Sequence, residues 1–211
     1  MSSTSAVILA GGQSRRMGRA KAALKFGKRT ILERLVTELR DDFDELLIIA
    51  ATKQTETFAI EELIRTASAQ VRLLRDRTAY QGPASALAYG LAAASNEVAF
   101  ACSCDLPLLR AEVAVALCTM LNDYQAVIPW IAGKPQPLCA VYRREVANMI
   151  EMQLASGERR LTRITEKLRA HRPGELQLRV IDPELRSFLN VNTPKDYERA
   201  LKLNQLPPDK E

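Results

Sequence analysis

Histidine occurs once in the 211 residues, as His171. Zinc sites and Ser-His-Asp or Cys-His constellations draw on imidazole, so little room is left for a zinc hydrolase or a His-based triad. The setting of His171, "RAHRPGE", reads as a helix end. Aromatic residues make up 5% of the chain and no Lys/Arg block interrupts it, so the net charge of +5 does not outline a nucleic-acid surface. No run reaches the roughly 18 apolar residues of a membrane span. The start, "MSSTSAVILAGG", has neither the basic n-region nor the apolar length of a secretory signal. The four cysteines are not spaced as a zinc finger; Cys102-x-Cys104 has no second pair, and Cys102 is expected in the core. Such usage fits a reducing, cytoplasmic setting. No internal repeat or low-complexity linker divides the chain, so one domain over 1–211 is expected, its tail loose from about residue 204.

What the chain does have is short apolar runs alternating with amphipathic stretches. Strands are expected at Ser5–Leu9, Glu45–Ala50 ("ELLIIA"), Gln70–Leu74, Glu97–Ala101, Gln125–Pro129, Leu138–Tyr142 and, late, Gln177–Ile181. Helices are expected at Thr30–Leu39, about 55–66, from Ala84, Glu112–Leu121, Val146–Leu154, through "GERRLTRITEKL", and from Lys195 onward. Strand and helix repeat every 20–25 residues or so, which predicts parallel βαβ units: an α/β, doubly wound, mostly parallel sheet flanked by helices. Ligands of such sheets sit beyond the carboxyl ends of the strands.

Three polar clusters fall at those ends. In "LAGGQSRRMGRAK" (Leu9–Lys21), a strand runs straight into glycines, arginines and a lysine. The spacing fits neither a Walker A loop nor G-x-G-x-x-G, being longer and more basic than both. Backbone N–H groups around Gly11 and Gly12 can hold phosphate oxygens, and Arg15, Arg16 and Lys21 can neutralise a triphosphate. "CDLP" places Asp105 just past a buried strand, where a carboxylate can hold Mg²⁺ beside substrate phosphates; a turn or helix-capping role is the plain alternative. "RDR", with Asp76, ends the third strand. Further on stand "GERR" (157–160) and "FLNVNTP" (188–194). Asn190 and Asn192 alternate around Val191, so both amides can face one way and grip a planar heterocycle; capping of the last helix is the alternative.

These segments carry a resemblance. "LAGGQSRRMGRAK" and "CDLPLL" resemble the signatures of nucleotidyltransferases with the MobA-like, Rossmann-like fold. Together with "GPASALAYGL", "GERR" and "FLNVNTPKD" in the same order, they are similar to the molybdenum cofactor guanylyltransferase branch, from Ala6 to about Leu203. The resemblance implies transfer of GMP from GTP to the terminal phosphate of Mo-molybdopterin, with release of pyrophosphate. It implies that Leu9, Ala10 and Gly11 meet the nucleotide through backbone groups, and that Gly12, Arg15, Arg16 and Lys21 surround its phosphates. Asp76 would face guanosine and Asp105 would hold Mg²⁺, or Mn²⁺. Lys21, Arg16 and Asp105 would carry the catalysis. Gly82, Arg159, Asn190 and Asn192 would face the pterin. Members of the branch often carry Asn after the second strand to hold guanosine; here Ala50, Ala51 and Thr52 stand there, and the Thr52 hydroxyl is the candidate substitute. A cytidylyltransferase of the same pterin, another NTP-transferase of this fold, and a non-catalytic cofactor carrier remain open alternatives. Implied partners are GTP, Mo-molybdopterin and, transiently, proteins of the cofactor pathway or apo-molybdoenzymes, with neither nucleic acid nor membrane.

Overall fold

The computed structural model describes residues 3–11, 21–50, 71–75 and 82–205, with only the backbone of Lys21 and Gln205. β1 (Thr4–Leu9) is buried from Ser5 onward. An unbroken apolar strand can exist only where both faces of a sheet are covered. A short turn, Lys21–Ala23, leads to a small hairpin of β2 (Lys25–Phe26) and β3 (Arg29–Thr30). α1 (Ile31–Leu39) starts on a capping box: the Glu33 N–H donates to Thr30 Oγ1 at 3.1 Å, and the Thr30 N–H donates to Glu33 Oε2 at 2.5 Å. Its Ile31, Leu32, Leu35, Val36 and Leu39 recur at helical spacing and are buried. β4 (Glu45–Ala50) and β5 (Val71–Arg75) follow, then α2 (Pro83–Ala93), β6 (Val98–Ser103) and α3 (Ala111–Thr119).

The later half is shorter in its strands. β7 (Ala126–Val127) leads into a hairpin of β8 (Trp130–Ile131) and β9 (Lys134–Pro135), then β10 (Cys139–Arg143). α4 (Val146–Ala155), α5 (Leu161–Glu166), β11 (Ala170–His171), α6 (Glu175–Leu178) and α7 (Pro194–Gln205) complete the described elements.

Seven of these strands form one sheet in the order β11-β7-β10-β6-β1-β4-β5. β10 runs antiparallel to both neighbours, and the remaining pairings are parallel. The chain winds outward from β1 through α1 to β4 and β5, then returns through α2 to β6 on the other side of β1. The two directions put their helices on opposite faces: α1, α3 and α7 cover one core, with Ile31, Leu117 and Ala200 in it. α2, α4 and α5 cover the other, with Leu87, Ile150 and Ile164 in it. Gly90 lets α2 approach the sheet closely, since a Cβ there would stand 2.4 Å from Val7 Cγ1 and 3.3 Å from Ile49 Cγ1.

The expected doubly wound sheet is therefore present. Two local expectations are corrected. Gln177–Ile181 does not form a strand: Glu175–Leu178 is α6, whose N-terminal Gly174 N–H donates to Gln177 Oε1 at 3.2 Å. His171 does not end a helix but lies in β11, paired in parallel with β7 and stacked on Tyr124, ring centroids 5.5 Å apart. The helix expected at about 55–66 lies outside the described residues.

Candidate active site at the switch point of the sheet

Strand order reverses at β1, flanked by β4 on one side and β6 on the other. This is where a doubly wound sheet opens a crevice beyond its carboxyl edge. Two hydrogen bonds finish that edge. The Cys104 N–H donates to the Leu9 carbonyl at 3.1 Å, and the Ala10 N–H donates to the Ile49 carbonyl at 2.9 Å. Those two groups of Leu9 and Ala10 thus serve the sheet, and the chain emerges at the exposed Gly11.

Asp105 follows β6 directly and is half-buried. The Ser103 hydroxyl donates to its Oδ1. Its carbonyl accepts the Val191 N–H at 2.8 Å, so a segment 86 positions further along is fastened beside it. Val191 is buried while Asn190 and Asn192 are exposed on either side of it, which is the alternation expected. The Asn190 amide donates to the Phe188 carbonyl at 3.5 Å, and the Asn192 N–H to Asp196 Oδ2 at 3.1 Å. That Asp196 carboxyl also accepts from Thr193 N–H, so the tract is at once a helix cap and an edge of the crevice.

Gly82 opens α2 from the same edge. Its φ of +95° lies in the region that favours glycine, and Pro83 occupies the first helical position. α2 therefore aims its N-terminal end at the crevice, a disposition that suits anions. α4 runs back along α2 toward that edge, and Gly157–Arg160 follow it, with Arg159 exposed. The Glu158 carboxyl accepts the Arg160 N–H at 2.8 Å and pairs with Arg163 at 3.7 Å, fixing the turn.

The cysteines beneath Asp105 are inert. Cys102 and Cys139 face one another across β6 and β10 and are buried. Burial, with the neighbouring cysteines and Asp105, pushes the Cys102 thiol far up; burial, then Asp182 and Asp105, does the same for Cys139. Such thiols resist the ionisation that metal binding or nucleophilic attack requires. Among the described residues no three His, Cys, Asp or Glu side chains gather as a metal cluster.

Residues 6–172 match the model of the MobA-like NTP transferase domain. The chain belongs to that family. A probable molybdenum cofactor guanylyltransferase of Carboxydothermus hydrogenoformans is 34% identical over 206 residues, covering 98% of this chain and 99% of the relative. A molybdenum cofactor guanylyltransferase of Desulfosudis oleivorans is 31% identical over 202 residues, covering 95% of each. The crystal structure of molybdopterin-guanine dinucleotide biosynthesis protein A from Archaeoglobus fulgidus superposes with a TM-score of 0.78 at 24% identity, over 95% of this chain and 98% of that one. This MobA-like transferase shares its fold with that protein.

Of the residues expected to act, the described ones Leu9, Ala10, Gly11, Gly82, Asp105, Arg159, Asn190 and Asn192 all stand at the carboxyl edge. Gly12, Arg15, Arg16, Thr52 and Asp76, with the Lys21 side chain, lie outside the described residues. Ser103 was not singled out from the sequence. Its signal is its place two residues before Asp105 at a strand end, where alternate residues share a face.

Proposed function

We propose that this chain transfers GMP from GTP to the terminal phosphate of Mo-molybdopterin, giving the guanine dinucleotide cofactor and pyrophosphate. The observation that supports the reading most is the bond from Cys104 N–H to the Leu9 carbonyl, which ties the start of the glycine loop to the tract bearing Asp105 at the switch point, in a chain similar over nearly its whole length to guanylyltransferases. The nucleotide lies over β1, β4 and β5, and the acceptor over β6, β10 and β7. Asp105, between them, meets the phosphates of both.

An acceptor phosphate oxygen attacks the α-phosphorus of GTP. The bond from that phosphorus to the bridging oxygen breaks, and pyrophosphate leaves with the electron pair. The nucleophile is already an anion, so no general base is needed, in keeping with a crevice without histidine. Two polyanions must be held together. Lys21, Arg15 and Arg16 offset their repulsion and bear the charge gathering on the leaving pyrophosphate. Asp105, its carboxylate taking the Ser103 hydroxyl, suits a hard divalent cation and would hold Mg²⁺ or Mn²⁺ in the crevice. Substrate phosphates would supply further oxygens to such an ion. Such an ion supplies charge neutralisation at the α-phosphate. Gly82 and the first turn of α2, Arg159, Asn190 and Asn192 hold the acceptor in line.

Among the described residues no helix is long and apolar enough to cross a membrane, and no disulfide joins the cysteines. We accordingly place the enzyme in the cytosol, handing its product to proteins of the cofactor pathway or to apo-molybdoenzymes. The test is a nucleotide screen: protein, Mg²⁺ and Mo-molybdopterin with GTP, CTP, ATP or UTP, following pyrophosphate and dinucleotide. Product with GTP alone is expected. Product with CTP alone would overturn the base assignment and keep the transferase. Binding of nucleotide and pterin without pyrophosphate release would make the chain a carrier.

A further inference from the structure

Trp130, the chain's one tryptophan, stands on the β8–β9 hairpin with 37% of its surface exposed. β7 runs parallel to β6, two strands away, so the hairpin that follows it rises at the carboxyl edge that also bears Asp105. Two strand spacings put it roughly 10 Å to the side of the β6 terminus. Direction follows from alternation: Ile128 packs in the core under α2 and α4, and Ile131 in the opposite one. Trp130 therefore turns toward the α2–α4 face, the face on which Arg159 emerges. Tyr124, the other exposed aromatic among the described residues, lies before β7 and is stacked on His171.

The hairpin is held stiffly. The Trp130 N–H donates to the Pro173 carbonyl at 3.0 Å, the Gln136 N–H to Pro129 at 2.9 Å, and the Ala132 N–H to Glu175 Oε1 at 2.8 Å. Its tip takes positive φ at both Ala132 (50°) and Gly133 (72°), as a tight two-residue turn requires. A large indole kept out of the core on a braced hairpin is ready to stack on a planar ring without paying for its own ordering.

We infer that Trp130 is the stacking platform for the fused pterin rings of the acceptor. The inference rests on the guanylyltransferase reading above. With the acceptor phosphate at Asp105, its ring system extends away from the nucleotide, over β10 toward β7, and meets the indole. Arg159 flanks the same rings.

The single tryptophan makes the test direct. Acrylamide quenching of the protein's emission is measured alone, with GTP, and with Mo-molybdopterin. Shielding by Mo-molybdopterin and none by GTP is expected. Trp130→Ala should raise KM for Mo-molybdopterin about tenfold, leave KM for GTP unchanged, and be largely rescued by Trp130→Phe. An indole equally quenchable at saturating acceptor, or Trp130→Ala with an unaltered acceptor KM, would overturn the platform. Absence of pyrophosphate release from the wild-type protein with every nucleotide would instead count against the transferase reading, and the shielding titration would still decide the platform.

Discussion

Asp105 and Ser103 form the smallest unit of the site. Asp105→Ala should lower kcat by about 10²-fold or more while the thermal melt stays near wild type, because the ion and the charge it neutralises are lost together. Lys21→Ala should act in the same direction. Wild-type turnover in Asp105→Ala would remove the metal assignment. Ser103→Ala should leave the fold and raise the Mg²⁺ concentration for half-maximal rate by about tenfold, as losing a group that orients a ligand does; activity titrated against Mg²⁺ checks it. Asp105 stood out in the sequence only because a basic glycine loop shares its edge of the sheet; alone, a carboxylate past an apolar strand reads equally as a turn or cap. Ser103 did not stand out, because a serine ending a strand looks like any other until the hydroxyl is seen on the carboxyl. The commitment of the Leu9 carbonyl to Cys104 was equally hidden, since backbone partners across a sheet depend on register.

Among the elements, α2 and the lower ends of the strands decide stability. Gly90→Ala gains roughly 1 kcal/mol of helix propensity. It also forces a methyl onto Val7, and overpacking costs about 1–3 kcal/mol. The expected result is a lower Tm, read by thermal denaturation. At the opposite edge from the crevice, Glu45 is 7% exposed and fully bonded. It accepts from the Ser5 hydroxyl (2.8 Å), the Ser95 N–H (2.8 Å) and hydroxyl (3.0 Å), and Arg72 (2.6 Å), joining β1, β4, β5 and the α2–β6 turn. Burial opposes its charge, but these bonds outweigh it and hold its pKa below the ordinary glutamate value. The carboxylate therefore stabilises the fold fully above that ordinary value, about pH 4.5, and the contribution disappears as pH falls through the lower folded value. Glu45→Gln should lower Tm at neutral pH and flatten its decline in acid. Elements with a strong pattern were legible, β4 to the residue and α1 to within one, Thr30 being its cap and not its first helical residue. The tract 175–181 was not: Leu176, Leu178 and Val180 alternate like a strand, yet Leu176 and Val180 are exposed on a short helical turn and only Leu178 is buried. Alternation alone does not distinguish the two when the run is this brief.

Taken whole, the molecule is divided at β1, and the proposed reaction assigns the nucleotide to one half of the carboxyl edge and the acceptor to the other. Arg159→Ala and Asn192→Ala should therefore raise the Mo-molybdopterin KM several-fold without changing GTP affinity, read separately by steady-state kinetics and by equilibrium GTP binding. A rate set by an anionic nucleophile also has a simple pH profile. kcat/KM should fall below about pH 6, where the acceptor phosphate dianion takes up a proton and becomes a monoanion, and stay level above it. A second limb near neutrality would implicate a protein base instead. The division was visible in outline, since three polar clusters at strand ends already implied one crevice. The order of the strands, which divides the edge at β1, follows from long-range pairing that local patterns do not carry.

The bonds that reach back from the end of the chain set a timetable. Val191 fastens Asp105, and the Tyr197 hydroxyl donates to the Lys25 carbonyl across 172 positions. On the ribosome the whole parallel part of the sheet can emerge and pair before either contact exists. The carboxylate loop is locked only after Val191 has been made. A product of translation interrupted before Val191 would thus have most of its scaffold but an unfastened Asp105 loop.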